Sequence, residues 1–159
     1  MLTPNLMRKL AIVAATAGLL GLGLPVARAD TKDAGKPAAG KARAEGQGYV
    51  VEVQPPASVT VGAAAKAQIV LKPTGGYHVN KEFPFVLAVT PPPGVDTPKA
   101  KQQNGDATKL EEAGAVFEVP FTASQTGDKA FAASFRFAVC TATTCEPHNE
   151  KLAWNVSVK

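Results

Sequence analysis

The sequence has few cysteines and no long apolar run beyond its N-terminus. Only two of its 159 residues are cysteine, Cys140 and Cys145. This excludes a framework of several disulfides and a zinc module built on four cysteines. After residue 29 no apolar run approaches the roughly 20 residues that a membrane-spanning helix needs. We therefore expect no membrane span in the mature chain.

The part of the chain from Tyr49 to Lys159 also lacks an excess of charge. It carries ten basic and ten acidic residues, so the net charge of +4 arises entirely from the first 48 residues. A nucleic-acid-binding domain needs a basic surface that contacts phosphates. We therefore exclude nucleic acid as a partner.

The N-terminus has the pattern of a secretory signal. Two basic residues, Arg8 and Lys9, precede a 15-residue apolar run from Leu10 to Leu24, and Ala27-Arg28-Ala29 follows. A basic head, a short apolar run and an A-x-A site predict a signal peptide over residues 1–29 that is cleaved after Ala29. The run is too short for a membrane anchor. We expect export to the periplasm.

After residue 29 the composition of the chain changes at two points. Residues 30–48 are rich in Ala, Gly and Lys and contain no large apolar residue before Tyr49, which predicts a flexible linker. Residues 49–159 show short segments of alternating apolar and polar residues separated by Pro- and Gly-containing turns, with a long polar loop at Lys99–Glu112. Seven or eight short strands in about 110 residues predict an all-β, immunoglobulin-like β-sandwich.

The two cysteines lie near the end of this domain, five positions apart. In an oxidising compartment such a pair forms a disulfide. The preceding strand has Phe135, Phe137 and Val139 on its inner face, which places Cys140 on the other face or at the strand end. A ring of about six residues stabilises the fold by only about 2 kcal/mol. The pair is therefore a candidate exchange site, and an inert hairpin clip is the alternative.

A metal site is a further hypothesis. His148 follows Cys145 by three residues, and the only other histidine is His78. Sulfur and imidazole ligands suit copper(I) or zinc. Cys140, Cys145 and His148, with His78 as a possible fourth, are therefore candidate ligands, although their spacing is not that of a zinc module. We assign no metal and no organic cofactor to the domain.

Three segments together carry a family resemblance: Gly76-Tyr77-His78-Val79-Asn80, Phe137-Ala138-Val139-Cys140, and Cys145-Glu146-Pro147. With the closing apolar strand they resemble the N-terminal periplasmic domain of the DsbD thiol:disulfide interchange proteins, over about residues 49–159. The resemblance implies an immunoglobulin-like domain that relays reducing equivalents. It implies that Cys145 forms mixed disulfides with partners and that Cys140 resolves them.

The resemblance also implies redox partners and a loop that shields the cysteine pair. The electron donor would be a thioredoxin-like domain or a membrane electron-transfer protein, and oxidised periplasmic proteins would be the acceptors. Members of the family shield the cysteine pair with a loop that bears acidic and aromatic residues. The corresponding stretch here, Lys99–Glu112, has no aromatic residue. Either Phe83 or Phe85 covers the pair from elsewhere, or the pair is less protected.

Three functions therefore follow from the sequence. The first is a periplasmic thiol–disulfide exchange protein that uses Cys140 and Cys145. The second is a non-catalytic exported binding module in which the disulfide is structural. The third is a copper- or zinc-binding protein.

Overall fold

The structure is a computed structural model that describes residues 40–159. These residues form twelve strands and one 3-10 turn at Asn104–Asp106. The strands are β1 (Arg43–Gly46), β2 (Tyr49–Gln54), β3 (Ser58–Val59), β4 (Ala64–Pro73), β5 (His78–Val79), β6 (Val86–Thr90), β7 (Val95–Asp96), β8 (Lys101–Gln102), β9 (Lys109–Glu111), β10 (Gly114–Ala123), β11 (Gly127–Cys140) and β12 (Cys145–Val158). The predicted signal peptide and most of the predicted linker lie outside the described residues.

The strands form two six-stranded sheets. The first sheet has the order β1-β2-β4-β10-β7, with β9 also paired to β10; the second has the order β3-β12-β11-β6-β8, with β5 also paired to β11. All pairs are antiparallel except β3 with β12. The predicted all-β, immunoglobulin-like sandwich is therefore confirmed. No helix among residues 40–159 has the length and apolar character that crossing a membrane requires.

The core lies between the two sheets and is filled by the alternating apolar residues that the sequence indicates. β11 contributes Phe131, Phe135 and Phe137, all fully buried. Trp154 of β12 stacks on Phe131 with the ring centres 5.0 Å apart. Since β11 and β12 pair over 14 residues, these inner faces form one continuous apolar surface.

Strand β1 differs from the sequence prediction, because Arg43–Gly46 lies inside the predicted linker. It pairs antiparallel with β2 through a turn at Gln47-Gly48, and Ala44 is buried. Gly48 has a φ of 79°, and a Cβ there would lie 2.4 Å from the ring of Tyr77. The linker composition does not favour a strand by itself; the hairpin with β2 supplies the missing hydrogen bonds.

The stretch Lys99–Glu112 is also more ordered than the predicted long loop, since it holds β8, the 3-10 turn and β9. Asn104 in the turn donates to the carbonyl oxygens of Lys81 and Phe83 at 2.9 and 2.8 Å and accepts from the N–H of Phe85 at 2.8 Å. These three bonds fix the segment that follows β5. That segment begins with Asn80, whose side chain contacts Cys145.

Candidate functional site at the disulfide

The two cysteines form a disulfide at the closed end of the β11–β12 hairpin. Cys140 ends β11, Cys145 begins β12, and the two are direct register partners with their Cα atoms 4.0 Å apart. The next pair outward is joined by a bond from the N–H of Thr141 to the carbonyl oxygen of Thr144 at 2.8 Å. Hydrogen-bonded pairs alternate along an antiparallel ladder, so the cysteines occupy a non-hydrogen-bonded pair, where side chains approach most closely. The predicted cysteine pairing is confirmed.

The two sulfurs differ in their surroundings. Cys140 is buried, with 3% of its surface exposed, whereas Cys145 is exposed. The expectation that Cys140 faces away from the core is correct, because Val139 points inward. Cys140 is nevertheless covered, since β5 pairs with this end of β11 and places His78 opposite Cys140. The covering strand is short and distant in sequence, so alternation within β11 does not reveal it.

A pocket of about 220 Å³ lies beside the disulfide. Its walls come from β5, the segment after it, the residue after β9 and both cysteines: His78, Val79, Asn80, Lys81, Glu82, Glu112, Cys140 and Cys145. Lys81 and Glu112 form an ion pair across it at 3.4 Å. Of the predicted cap stretch Lys99–Glu112, only Glu112 lines this pocket. The residues next to the disulfide are instead those that follow β5.

Asn80 makes a direct polar contact with the disulfide. Its Nδ2 donates to Sγ of Cys145 at 3.7 Å. Its Oδ1 accepts from the N–H groups of Glu82 and Phe83 at 3.0 and 3.2 Å, which fixes the amide with its donor toward the sulfur. In the sequence, Asn80 stands out only as the last residue of the segment from Gly76 that carries the resemblance. The one signal for its role in the sequence is that it is an asparagine at the start of a turn.

Neither Phe83 nor Phe85, the two residues expected to cover the cysteine pair, lines the pocket. Phe85 is fully buried in the core, where its ring packs on Phe117 and Phe135. Phe83 lies under the guanidinium of Arg136, 5.3 Å from its ring centre. Polar residues therefore line the groove beside the exposed sulfur.

The proposed metal ligand set is wrong. His148 is the register partner of Phe137 and shares its inner face, while Cys140 and Cys145 lie on the outer face. Its ring packs against Tyr49 and Phe137 with ring centres 4.4 and 5.5 Å away. His148 is three positions after Cys145, an odd offset, so alternation in β12 places them on opposite faces. Within residues 40–159 no group of three or more His, Cys, Asp or Glu side chains is arranged to hold a metal ion.

Beneath the hairpin, the inner face of β12 carries a polar row. The Tyr49 hydroxyl donates to the Glu150 carboxylate, and the Tyr77 hydroxyl donates to Glu146 at 3.3 Å. Burial, together with the hydrogen bond and the charge of Glu150, raises the pKa of the Tyr49 hydroxyl well above its usual value. These bonds hold the start of β12 against β2 and the segment before β5.

Comparisons with known proteins identify no family for this chain. No family model matches the chain, and no curated protein matches it. A cohesin module of a family 33 glycoside hydrolase from Clostridium perfringens is similar over 72% of this chain and 98% of its own length, with 12% identity and a TM-score of 0.41. AggA, the major subunit of aggregative adherence fimbriae type I from Escherichia coli, is similar over 70% of this chain and 95% of its own, with 11% identity and a TM-score of 0.37.

Proposed function

We propose that this domain is a non-catalytic protein-binding module whose Cys140–Cys145 disulfide holds its binding end in shape. The observation that carries the proposal is the register pairing of the two cysteines at the closed end of a hairpin with 14 residues in each strand. The disulfide fits the ladder without displacing either strand. A loop end that is fixed before binding loses less conformational freedom when a partner docks. A disulfide of this kind belongs in an oxidising compartment, in keeping with the expected export to the periplasm.

The redox potential of the pair tests this function. The oxidised protein is equilibrated in glutathione buffers of stepped composition, and the reduced fraction is measured by alkylation and mass spectrometry. A structural disulfide stays oxidised across the range, since its potential lies below about −300 mV. Ready reduction, or a stable mixed disulfide with glutathione, contradicts the structural role and favours the second candidate.

The second candidate is thiol–disulfide exchange, and the unequal exposure of the two sulfurs favours it. A partner thiolate can reach Sγ of Cys145, whereas Cys140 is covered by β5. In the exchange, the partner thiolate forms a bond to Sγ of Cys145, the Cys140–Cys145 bond breaks, and Cys140 leaves as a thiolate. The partner sulfur is oxidised and Cys140 is reduced. A second thiol of the donor then attacks the mixed disulfide and releases Cys145, which leaves both cysteines reduced. In the donating half-reaction, Cys145 attacks the disulfide of an oxidised partner and one partner sulfur leaves as a thiolate; Cys140 then attacks Sγ of Cys145, which reforms the Cys140–Cys145 bond and releases the reduced partner.

The partners that we propose for this second function are those that the resemblance to the N-terminal DsbD domain implies. A thioredoxin-like domain or a membrane electron-transfer protein supplies the reducing equivalents, and oxidised periplasmic proteins accept them. Asn80 supports such a role at Cys145, because a donor 3.7 Å from the sulfur stabilises a thiolate there. Exchange at this site involves no cofactor, since both reacting groups are cysteines.

A matched pair of single-cysteine variants tests the second function. Cys140→Ala leaves the exposed Cys145, and Cys145→Ala leaves the buried Cys140. Each variant is activated as a mixed disulfide with a small aromatic thiol and presented to a reduced thioredoxin that lacks its resolving cysteine. Exchange at Cys145 predicts rapid formation of the protein–protein disulfide with Cys140→Ala and little with Cys145→Ala. Equal capture by the two folded variants would remove the asymmetry on which this function rests.

A further inference from the structure

We infer that the outer face of the second sheet is a docking surface for an acidic protein segment. The inference rests on the proposed binding function, and it names the surface and the chemistry of the partner. Three basic side chains on this face carry it: Lys101, Arg136 and Lys151.

The strand register places the three basic residues on one face. Ala88 of β6 pairs with Lys101 of β8 on one side and with Ser134 of β11 on the other. Ser134 pairs in turn with Lys151 of β12. Register partners lie on the same face of a sheet, so these four residues form a row, with the Cα atoms of the two lysines about 14 Å apart. Arg136 lies on the same face, two residues or about 7 Å farther along β11.

The three basic side chains are exposed and their charges are not neutralised within residues 40–159. None of the three forms an ion pair with a residue of this range. The guanidinium of Arg136 lies 5.3 Å from the ring centre of Phe83, a contact that leaves its charge available to a partner. The residues between the two lysines in the row are Ala and Ser, which are too short to hold a partner away from the charges.

Acidic residues are scarce at the outward positions of the same strands. In β6, β8, β11 and β12 the only acidic residue at such a position is Asp128. It precedes Ser134 by six residues, or about 20 Å along β11. At physiological ionic strength, charges of the surface that are more than about 8 Å apart are largely screened from each other. Asp128 therefore does not neutralise the basic residues, and this face attracts negative charge.

The outer face of the first sheet differs, because its charges neutralise one another. Lys66 pairs with Glu118 at 2.8 Å, and Lys72 pairs with Glu52 at 3.4 Å. Arg43 also pairs with Glu52. The positive charge of the second sheet is therefore a local property of one face, and a partner that complements it presents carboxylates.

The positive face adjoins the end of the domain that the disulfide holds in shape. Both cysteines lie on the outer face of the β11–β12 hairpin, and Arg136 precedes Cys140 by four residues. Lys101 lies at the opposite edge of the sheet, three strands from the edge of β12 where Lys41 pairs. The docking surface therefore extends from the closed end of the hairpin across β11 and β6 to β8.

The composition of this face disfavours two other occupants. Two copies of the face would repel each other, since each presents three positive charges and only a distant negative one. Nucleic-acid surfaces use aromatic side chains that stack on bases, or a helix or ribbon that enters a groove. The outward positions of these four strands hold no aromatic residue. Carboxylates of a protein segment need only reach the three basic side chains.

The experiment measures the binding of an acidic probe by NMR. The probe is an acetylated decapeptide that alternates Glu and Thr, and the same peptide with Gln in place of Glu is the neutral control. Each peptide is titrated into the isotope-labelled, oxidised protein, and the dissociation constant is obtained from the amide chemical shifts. We expect the acidic peptide alone to shift the amides of β6, β8, β11 and β12.

Two triple variants remove the same amount of charge from opposite faces. The surface variant is Lys101→Gln/Arg136→Gln/Lys151→Gln. The control variant is Arg43→Gln/Lys66→Gln/Lys72→Gln. We expect the surface variant to weaken binding of the acidic peptide about tenfold, the combined value of three exposed ion pairs, and the control variant to weaken it less than about twofold. The double variant Lys101→Glu/Lys151→Glu leaves Arg136 on Phe83 and should weaken binding further.

Three results would overturn the docking surface. They are equal weakening by the two triple variants, no binding of the acidic peptide to the wild type at millimolar concentration, and tighter binding of a short DNA duplex through the same three residues. All variants keep both cysteines, so the glutathione equilibration tests the disulfide separately. A readily reduced disulfide with an unchanged peptide titration contradicts the structural role of the disulfide and leaves the docking surface in place.

Discussion

The amide of Asn80 and the sulfur of Cys145 meet although 65 residues separate them in the chain, with Nδ2 lying 3.7 Å from Sγ. Asn80 reaches the sulfur across the end of β11, because its own N–H donates to the carbonyl oxygen of Ala138 at 3.0 Å. The contact joins the segment after β5 to the first residue of β12. It gives the exposed sulfur a fixed hydrogen-bond donor.

Removing this donor should raise the pKa of the Cys145 thiol in the reduced protein. Asn80→Asp keeps the Oδ1 acceptor that holds the turn but replaces the donor with a negative charge, and Asn80→Ala removes both. We expect the pKa to rise from wild type to Asn80→Ala and further to Asn80→Asp, because a nearby negative charge disfavours a thiolate. The rate of iodoacetamide alkylation against pH measures it. Asn155→Ala, an exposed asparagine of β12, is the control, and an unchanged profile in Asn80→Asp contradicts the role.

Removing the disulfide should destabilise the fold modestly. The double variant Cys140→Ala/Cys145→Ala should lose about 2 kcal/mol of unfolding free energy, the value for a ring of about six residues. The loss is small because the Thr141–Thr144 bond and the pairing with β5 already fix the hairpin end. Urea titration measures it, with reductant added to the wild type as the matched comparison. A loss of unfolding free energy as large as that caused by truncating a core side chain would contradict the modest contribution of the disulfide.

Truncation in the aromatic core should cost more than loss of the disulfide. Phe135 is fully buried, and its ring lies 5.4 Å from that of Phe117 and 5.1 Å from that of Phe137. Phe135→Ala should destabilise the protein by about 3–5 kcal/mol through lost burial and the remaining cavity. Phe83→Ala, at a half-buried position outside this cluster, should cost clearly less. The same urea titrations compare the free energies of unfolding of the two variants. A Phe83→Ala variant that is less stable than Phe135→Ala would contradict the prediction.

The Tyr49 hydroxyl should make stability depend on alkaline pH. Burial and Glu150 raise its pKa in the folded state, whereas an unfolded tyrosine ionises near pH 10. A raised folded pKa contributes stability that is fully present below about pH 10 and is lost as the pH rises above it. Tyr49→Phe should therefore be less stable than the wild type near neutral pH, and the difference should shrink above about pH 10. Thermal unfolding across pH 8–11 measures it, and a constant difference contradicts the assignment.

The longest strands were predictable from the sequence because their signal is local. Every second residue is apolar from Phe131 to Val139 in β11 and from Leu152 to Val158 in β12, and that period alone defines which face enters the core. The first half of β12 has polar residues on its inner face, so only the structure places His148 on the face opposite Cys145 and rejects the metal ligand set. The cysteine pairing was likewise predictable, since a short hairpin brings the two residues together.

The tertiary structure decided what depends on residues far apart in the chain. Strand β1 forms from a segment of small and charged residues because β2 lies beside it. Cys140 is buried because β5, about 60 positions earlier, pairs with the end of β11. Alternation in a sequence shows which residues lie on each face of a strand. The strands that pair along its two edges can come from distant parts of the chain, so the local sequence does not identify them. The difference between a covered Cys140 and an exposed Cys145 is an edge property, so only the assembled sheet determines it.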